Sequence, residues 1–315
     1  MGKLIDGKWH AVWYNTKESR GKFIREEAGF RGWINTDADA KFPPESGRYH
    51  LYVSLACPWA HRALIMRQLK QLETHIDVTI VCPDMLNHGW QMGLPEPLFG
   101  HRYLHQMYTQ AVPNYTGRVT VPMLWDKKHQ TIVSNESADI MRMFNSGFNE
   151  LTGNDDDYYP LALRPVIDEW NAFIYPNINN GVYRCGFATT QEAYLEAYKQ
   201  LFSALDKVEA HLATHRYLAG EQLTEADWRL FTTLIRFDAV YVGHFKCNKQ
   251  RIADYPNLNG YLKELYQIEG IRDTVDFYHI KRHYYFSHKQ INPTQIVPQG
   301  PELDLDSPHG RDAMK

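Results

Sequence analysis

The spacing of apolar positions changes character along the chain. From Tyr49 to Ser54 ("YHLYVS") apolar residues alternate as in a strand. The run stops at Leu55-Ala56, and Cys57-Pro58 opens an amphipathic segment with helical spacing that reaches about Lys70. "IDVTIV", residues 76–81, predicts a second strand closed by Cys82-Pro83. Strand, helix and strand with short joints make a βαβ unit. Residues 84–116 are an irregular insertion with a helical pattern in "HRYLHQMYTQ". Beyond it the pattern predicts a strand over 118–125, a turn at Asp126-Lys127-Lys128, a strand over 130–133 and a helix from about Glu136. The order βαβ followed by ββα is the thioredoxin-like layout.

After the acidic loop "GNDDDYYP" only helical periodicity remains, from 161 to 285. In "QEAYLEAYKQLFSALDKVEAHL" the residues Tyr194, Leu195, Tyr198, Leu201, Phe202, Leu205, Val208 and Leu212 mark one face. "QLTEADWRLFTTLIRF" carries a capping-box pattern, Thr224 with Asp227, and a candidate staple between Leu223 and Trp228. The fold class that follows is α/β plus all-α. The expected division is an N-terminal extension over 1–48, polar and weakly periodic, and a thioredoxin-like domain over 49–150. A helical bundle over 160–286 and an extended tail over 287–315 complete it.

Composition adds exclusions. The chain has 315 residues, 43% of them hydrophobic and 23% charged, with a formal net charge of −3. This balance gives no reason to expect a nucleic acid or an anionic membrane as partner. The 20 Tyr and 8 Trp suit a large core or a site that stacks planar ligands. "MGKLIDGKWHAVWYN" has no apolar stretch of the signal-peptide kind, and no run reaches the ~18 apolar residues of a membrane span. The expected location is the cytoplasm, where the scattered Cys57, Cys82, Cys185 and Cys247 would remain thiols.

The chemistry centres on Cys57. Pro58 suits the first position of a helix, so Cys57 is its N-cap, beside unpaired amide N–H groups and the positive end of the helix dipole. A thiolate is favoured there; a buried structural cysteine is the other reading. Thioredoxin-type oxidoreductases resolve mixed disulfides with a second cysteine three residues on; here that position is Ala60, so release needs a thiol from solution. Cys82 is a conceivable internal resolver, but it ends an expected core strand and reads as structural. Pro122, in "TVPMLW", stands at the cis-proline position of a thioredoxin-like fold, where the backbone of Val121 would pair with a peptide-like ligand; a trans proline ending an edge strand is the other reading. "SNESADI" opens a helix with Glu136-Ser137, suited to the carboxylate and ammonium of an amino-acid head group, or else with plain capping by Ser134 or Asn135. Monothiol cysteine, strand proline and Glu-Ser in this order describe a site for glutathione.

"LYVSLACPWAHR", "RVTVPMLWDKK", "TIVSNESA", "NNGVYRCGFAT", "LTEADWRLFTTLIRFDAVYVGHFKCN" and "SHKQINPTQIVP" carry a wider resemblance. Over nearly its whole length the chain resembles the glutathionyl-hydroquinone reductases, the Xi class of glutathione transferases. The N-terminal extension and C-terminal tail set it apart from the omega class. The resemblance implies a glutathione transferase fold, glutathione as co-substrate, no metal, and a homodimer. It implies that Cys57 is the nucleophile and that Trp90 packs on glutathione. By the same likeness Arg118, Val119, Thr120 and Val121 bind the glutathione backbone, and Glu136 and Ser137 hold its γ-glutamyl end. Tyr183 would exchange a proton with the aromatic substrate; Tyr241 and Tyr284 would favour the Cys57 thiolate and line the hydroquinone pocket. A compact segment after Trp90 departs from the family pattern. The implied reaction reduces a glutathionyl-hydroquinone to the hydroquinone through a Cys57–glutathione mixed disulfide, which a second glutathione resolves. The alternatives are an omega-like thioltransferase or dehydroascorbate reductase, and a non-catalytic assembly module. His211/His215 and His279/His283 have i, i+4 spacing but lack the flanking Glu of a zinc-protease helix, and "GNDDD" is an incomplete calcium loop.

Overall fold

A computed structural model describes residues 2–314; Met1 and Lys315, the outermost residues of the first and last segments, lie outside the described residues. In chain order the strands and helices are β1 (Lys3–Ile5), β2 (Lys8–His10), β3 (Tyr49–Val53), α1 (Pro58–Leu69), β4 (Asp77–Ile80), α2 (Leu104–Ala111), β5 (Gly117–Arg118), β6 (Met123–Asp126), β7 (Thr131–Ser134) and α3 (Ser137–Ser146). There follow α4 (Asn149–Thr152), α5 (Arg164–Ile174), α6 (Gly181–Gly186), α7 (Gln191–Leu212), α8 (Glu225–Arg236), α9 (Pro256–Tyr266) and α10 (Phe277–Ser287). Two π-helical segments, Tyr175–Asn179 and Phe237–Tyr241, continue α5 and α8. No helix among the described residues is long and apolar enough to cross a membrane.

The chain forms two units, each discontinuous in sequence. The first holds the chain up to Trp13, Glu26–Asp156 and Thr274–Ser287; the second holds Tyr14–Arg25, Asp157–Asp273 and the residues from His288 on. The expected division at 48, 150 and 286 does not anticipate this threading. Residues 14–25 and the tail pack with the helical unit, while α10 packs with the sheet unit.

In the first unit the four-stranded sheet runs β4-β3-β6-β7, with β3 and β4 parallel and the other pairs antiparallel. This is the thioredoxin-like order. All five residues of β3 are buried because it lies between β4 and β6, so its polar His50 is buried with the rest. His50 places Nε2 2.7 Å from the Thr79 hydroxyl, and burial pulls its pKa down to about 4. The expected amphipathic helix after Cys57 is instead buried nearly all round, from Pro58 and Ala60 through Met66. Two of its polar residues find partners inside: His61 Nε2 lies 2.7 Å from the Thr274 hydroxyl, and the Arg62 guanidinium sits 4.5 Å from the Trp59 ring centre.

Two sequence expectations change here. The strand expected over 118–125 is two strands in two sheets. β5 pairs with β1, whereas β6 pairs with β3 and β7, and the donor-less Pro122 lies in the break. The N-terminal segment also holds a hairpin, β1–β2, that its weak periodicity hid. Its two-residue loop is Asp6-Gly7, with φ of 45° and 72°. Both positive angles are what a type I′ hairpin needs, and Asp-Gly is a preferred pair for it.

In the second unit α7 buries Ala193, Ala197, Leu201, Phe202, Leu205, Val208 and Leu212. The expected face is rotated at its N-terminal end, where Leu195 is exposed and Tyr194 and Tyr198 are half-buried. Alanines there let α6 approach closely, and α6 is the neighbour against which α7 packs most extensively. The Thr224–Asp227 capping box forms as expected: the Thr224 amide donates to Asp227 Oδ2 at 2.8 Å. Trp228 is fully buried.

Candidate functional site

The β3–α1 junction fixes the central cysteine. Cys57 has the extended dihedrals of an N-cap (φ −79°, ψ 120°) and Pro58 stands at the first helical turn. The Cys57 carbonyl accepts the His61 amide at 3.0 Å, while its own amide donates to Ser54 O at 3.1 Å. The half-buried sulfur is thereby held at the mouth of α1, where the helix dipole and first-turn amides favour an anion. Its Sγ lies 3.5 Å from the Val121 carbonyl oxygen.

The Val121–Pro122 bond is cis. Among the described residues no acceptor meets the Val121 amide N–H, so a backbone donor stands next to the thiol. The segment before it is braced from behind. Tyr108 on α2 donates its hydroxyl to Thr120 O at 2.9 Å and accepts the Thr120 amide at 3.2 Å. Asn135 donates to that hydroxyl at 3.1 Å and to Thr120 Oγ1 at 3.2 Å, and its side-chain oxygen accepts the Phe30 amide at 3.0 Å. Val119 and Val121 are buried. The Arg118 guanidinium is occupied by the N-terminal chain, with Val12 O at 2.8 Å and the Glu26 carboxylate at 3.1 Å.

Glu136 caps α3 itself, so neither Ser134 nor Asn135 is the N-cap. Its Oε1 accepts the Ala138 amide at 3.0 Å, while Ser134 Oγ accepts the Glu136 amide at 3.1 Å. The carboxylate therefore has a fixed direction, and its second oxygen has no hydrogen bond among the described residues. Ser137 Oγ lies 3.4 Å from Glu136 Oε1 and 3.4 Å from the Arg62 guanidinium. Trp90 and Tyr284 belong to this same unit; Trp90 is 6% exposed and Tyr284 1%.

Tyr183 and Tyr241 belong to the helical unit, with ring centres 6.1 Å apart. Phe245 stacks on Tyr241 at 5.4 Å and meets Tyr183 edge-on at 5.4 Å. Arg25 lies 4.9 Å from the Tyr183 ring centre and donates to Asn180 Oδ1 at 3.2 Å.

Sequence reasoning missed Tyr108, Asn135 and Arg62. Asn135 lies inside the quoted "SNESADI" and Arg62 inside "LYVSLACPWAHR", but neither gives a pattern separating a buried hub from an ordinary cap or surface cation. Cys82 is half-buried, two residues beyond β4, and burial raises its pKa. His211 and His215 stack on each other at 4.1 Å, and no group of three or more His, Cys, Asp or Glu that could hold a metal ion occurs among the described residues.

Sheet order and the helix-capping cysteine are those of a thioredoxin-like protein, and the family models make it a glutathione transferase. Residues 56–146 match the family model of the glutathione S-transferase N-terminal domain, and residues 191–264 that of the C-terminal domain. The chain is 56% identical to glutathionyl-hydroquinone reductase YqjG of Escherichia coli, with 99% of each chain covered. It is 53% identical to glutathionyl-hydroquinone reductase PcpF of Sphingobium chlorophenolicum, covering 97% of this chain and 98% of that one. The glutathione-bound structure of YqjG superposes with a TM-score of 0.91 over 99% of both chains at 54% identity. A Xi-class glutathione transferase from Natrialba magadii gives 0.93 over 100% of this chain and 97% of that one, at 47% identity. The chain belongs to the glutathionyl-hydroquinone reductase family, within the glutathione transferase superfamily.

Proposed function

We propose that this enzyme reduces glutathionyl-hydroquinones to hydroquinones at the expense of glutathione. The observation that carries the proposal is the Cys57 thiol at the N-terminus of α1, 3.5 Å from the Val121 carbonyl and next to the available Val121 amide, with alanine at position 60. Such a thiol sits where a peptide-like thiol can align and where no neighbouring cysteine intercepts a mixed disulfide.

Tyr183 first donates a proton to the sulfur-bearing ring carbon, which makes the ring a leaving group. The Cys57 thiolate then attacks the glutathionyl sulfur, and the carbon–sulfur bond breaks with its electron pair returning to the ring to restore the aromatic hydroquinone. Hydroquinone leaves, and Cys57 is disulfide-bonded to glutathione. A second glutathione, its thiol proton passing to Tyr183, attacks that disulfide as the thiolate and releases oxidised glutathione and the Cys57 thiolate. Val121 pairs with the glutathione backbone on the segment Arg118–Val121. Glu136 and Ser137 receive the γ-glutamyl ammonium and carboxylate, and Trp90 packs against the tripeptide. Tyr241 and Tyr284 line the aromatic pocket and favour the thiolate. We place the enzyme in the cytoplasm, where glutathione is supplied, and infer a homodimer by analogy with its fold class.

Steady-state turnover of a glutathionyl-hydroquinone against a small glutathione mixed disulfide tests the proposal. The reductase reading expects hydroquinone formation that Cys57→Ser abolishes. Turnover of the mixed disulfide alone would transfer the assignment to an omega-like thioltransferase.

A further inference from the structure

Helix α10 carries two adjacent rings, and the reaction above uses only one. Tyr284 lines the proposed aromatic pocket, whereas His283 has no part in the scheme. Yet the His283 ring lies between the two substrate walls of its unit. It stacks on the Trp90 indole at 4.8 Å between centres and 22° between planes, and it meets Tyr284 edge-on at 5.3 Å and 76°. Its own exposure is 6%.

The ring is held in that plane. Nδ1 lies 2.9 Å from the Pro83 carbonyl oxygen, and since a carbonyl only accepts, Nδ1 carries the proton. Arg282 grips Asp84 with two parallel bonds of 2.7 and 2.8 Å. The Ser287 hydroxyl accepts the Met85 amide at 3.0 Å and donates to Pro83 O at 3.3 Å. Residues 83–85, at the start of the loop that bears Trp90, are thus tied to the end of α10. Beyond the indole, the Leu104 amide donates to Trp90 O at 2.9 Å. Backbone bonds fix the path of the loop, and the His283 ring is the flat partner stacked on the indole.

We propose that His283 is a positioning residue: it sets the plane of the Trp90 indole against glutathione and joins that wall to Tyr284. The proposal rests on the roles given above to Trp90 and Tyr284. It uses the ring's shape and its bond to Pro83, not its charge, and it accounts for one member of the His279/His283 pair without a metal.

A double-mutant cycle tests it, with Trp90→Leu, His283→Ala and the double variant compared, and His283→Phe as the conservative control. His283→Ala is expected to raise KM for glutathione about tenfold with kcat within about twofold, and Phe, which keeps a flat ring, to return KM to within about threefold of the parent. In the Trp90→Leu background His283→Ala should add less than about twofold. The glutathione-induced change in Trp90 fluorescence should be lost in His283→Ala and kept in His283→Phe. Non-additivity between Trp90→Leu and Tyr284→Phe in kcat/KM should vanish once His283 is alanine. Full additivity in the first cycle overturns the proposal. So does a fall in thermal midpoint with KM unchanged, which marks a purely structural histidine. If Trp90→Leu alone leaves the glutathione KM unchanged, the role of Trp90 fails first and the proposal falls with it, while Cys57 activity in the same assay keeps the reductase reading intact.

Discussion

Glu136 shows how one side chain serves local structure and ligand binding with separate atoms. Oε1 caps α3, and Oε2 has no hydrogen bond among the described residues, so a ligand ammonium would meet a carboxylate already held in place. Glutamine keeps an oxygen for the cap and removes the charge. Glu136→Gln should therefore raise KM for glutathione about tenfold, roughly 1.4 kcal/mol, with the thermal midpoint nearly unchanged. Glu136→Ala should lose the binding and also about 1 kcal/mol of stability through the cap; steady-state kinetics and thermal melts on the pair separate the two losses. The sequence pattern located the start of α3 at Glu136-Ser137 and the cysteine N-cap, because helix starts and Pro58 follow local rules, but it offered Ser134 or Asn135 as the cap that Glu136 itself provides. It did not identify Asn135 or Tyr108, because their partners at Phe30 and Thr120 are distant in sequence.

At the scale of elements, the central strand holds a histidine that burial keeps neutral. The folded state releases the His50 proton only near pH 4, while the unfolded chain takes it up near 6.5. Between those values the unfolded state binds more protons, so stability rises with pH: the contribution is full above about 6.5 and lost as pH falls toward 4. The shift is worth about 3 kcal/mol. His105, also pulled down to about 4 by burial, acts with the same sign. His50→Gln should flatten part of the acid limb, leaving the His105 share, in denaturant unfolding measured at several pH values; an unchanged slope would contradict the buried neutral imidazole. Strand order and helix starts were legible because period-2 and capping signals are short-range. Burial around β3 and α1 was not, because it depends on how many layers cover an element, which a single strand or helix does not record.

At the scale of the molecule, the ends of the chain are part of the two units. The tail, regular only in its Pro and Gly spacing, brings Arg311 into the helical unit. Its guanidinium donates to Glu264 Oε2 at 2.9 Å and to the carbonyls of Arg216 at 2.6 Å, His215 at 3.2 Å and Leu212 at 3.3 Å. Arg311→Ala leaves those buried acceptors without their donor and should cost about 3 kcal/mol, read as a lower midpoint in urea with KM for glutathione unchanged. Nothing in "PELDLDSPHGRDAMK" announces this, because the partners of Arg311 are contributed by the end of α7, the turn after it, and α9. The N-terminal hairpin was legible in principle, since Asp-Gly between short strands is a local signal, but each strand has only three residues and little periodicity.

In the proposed reaction Cys57 takes glutathione from an aromatic thioether and keeps it until a second glutathione arrives. A single turnover of enzyme with a glutathionyl-hydroquinone, without free glutathione, tests this directly by intact-protein mass spectrometry and chromatography of the small molecules. One glutathione adduct, located on Cys57, is expected with one equivalent of free hydroquinone, and neither in Cys57→Ser. Hydroquinone released without an adduct, or an adduct on another cysteine, would contradict it.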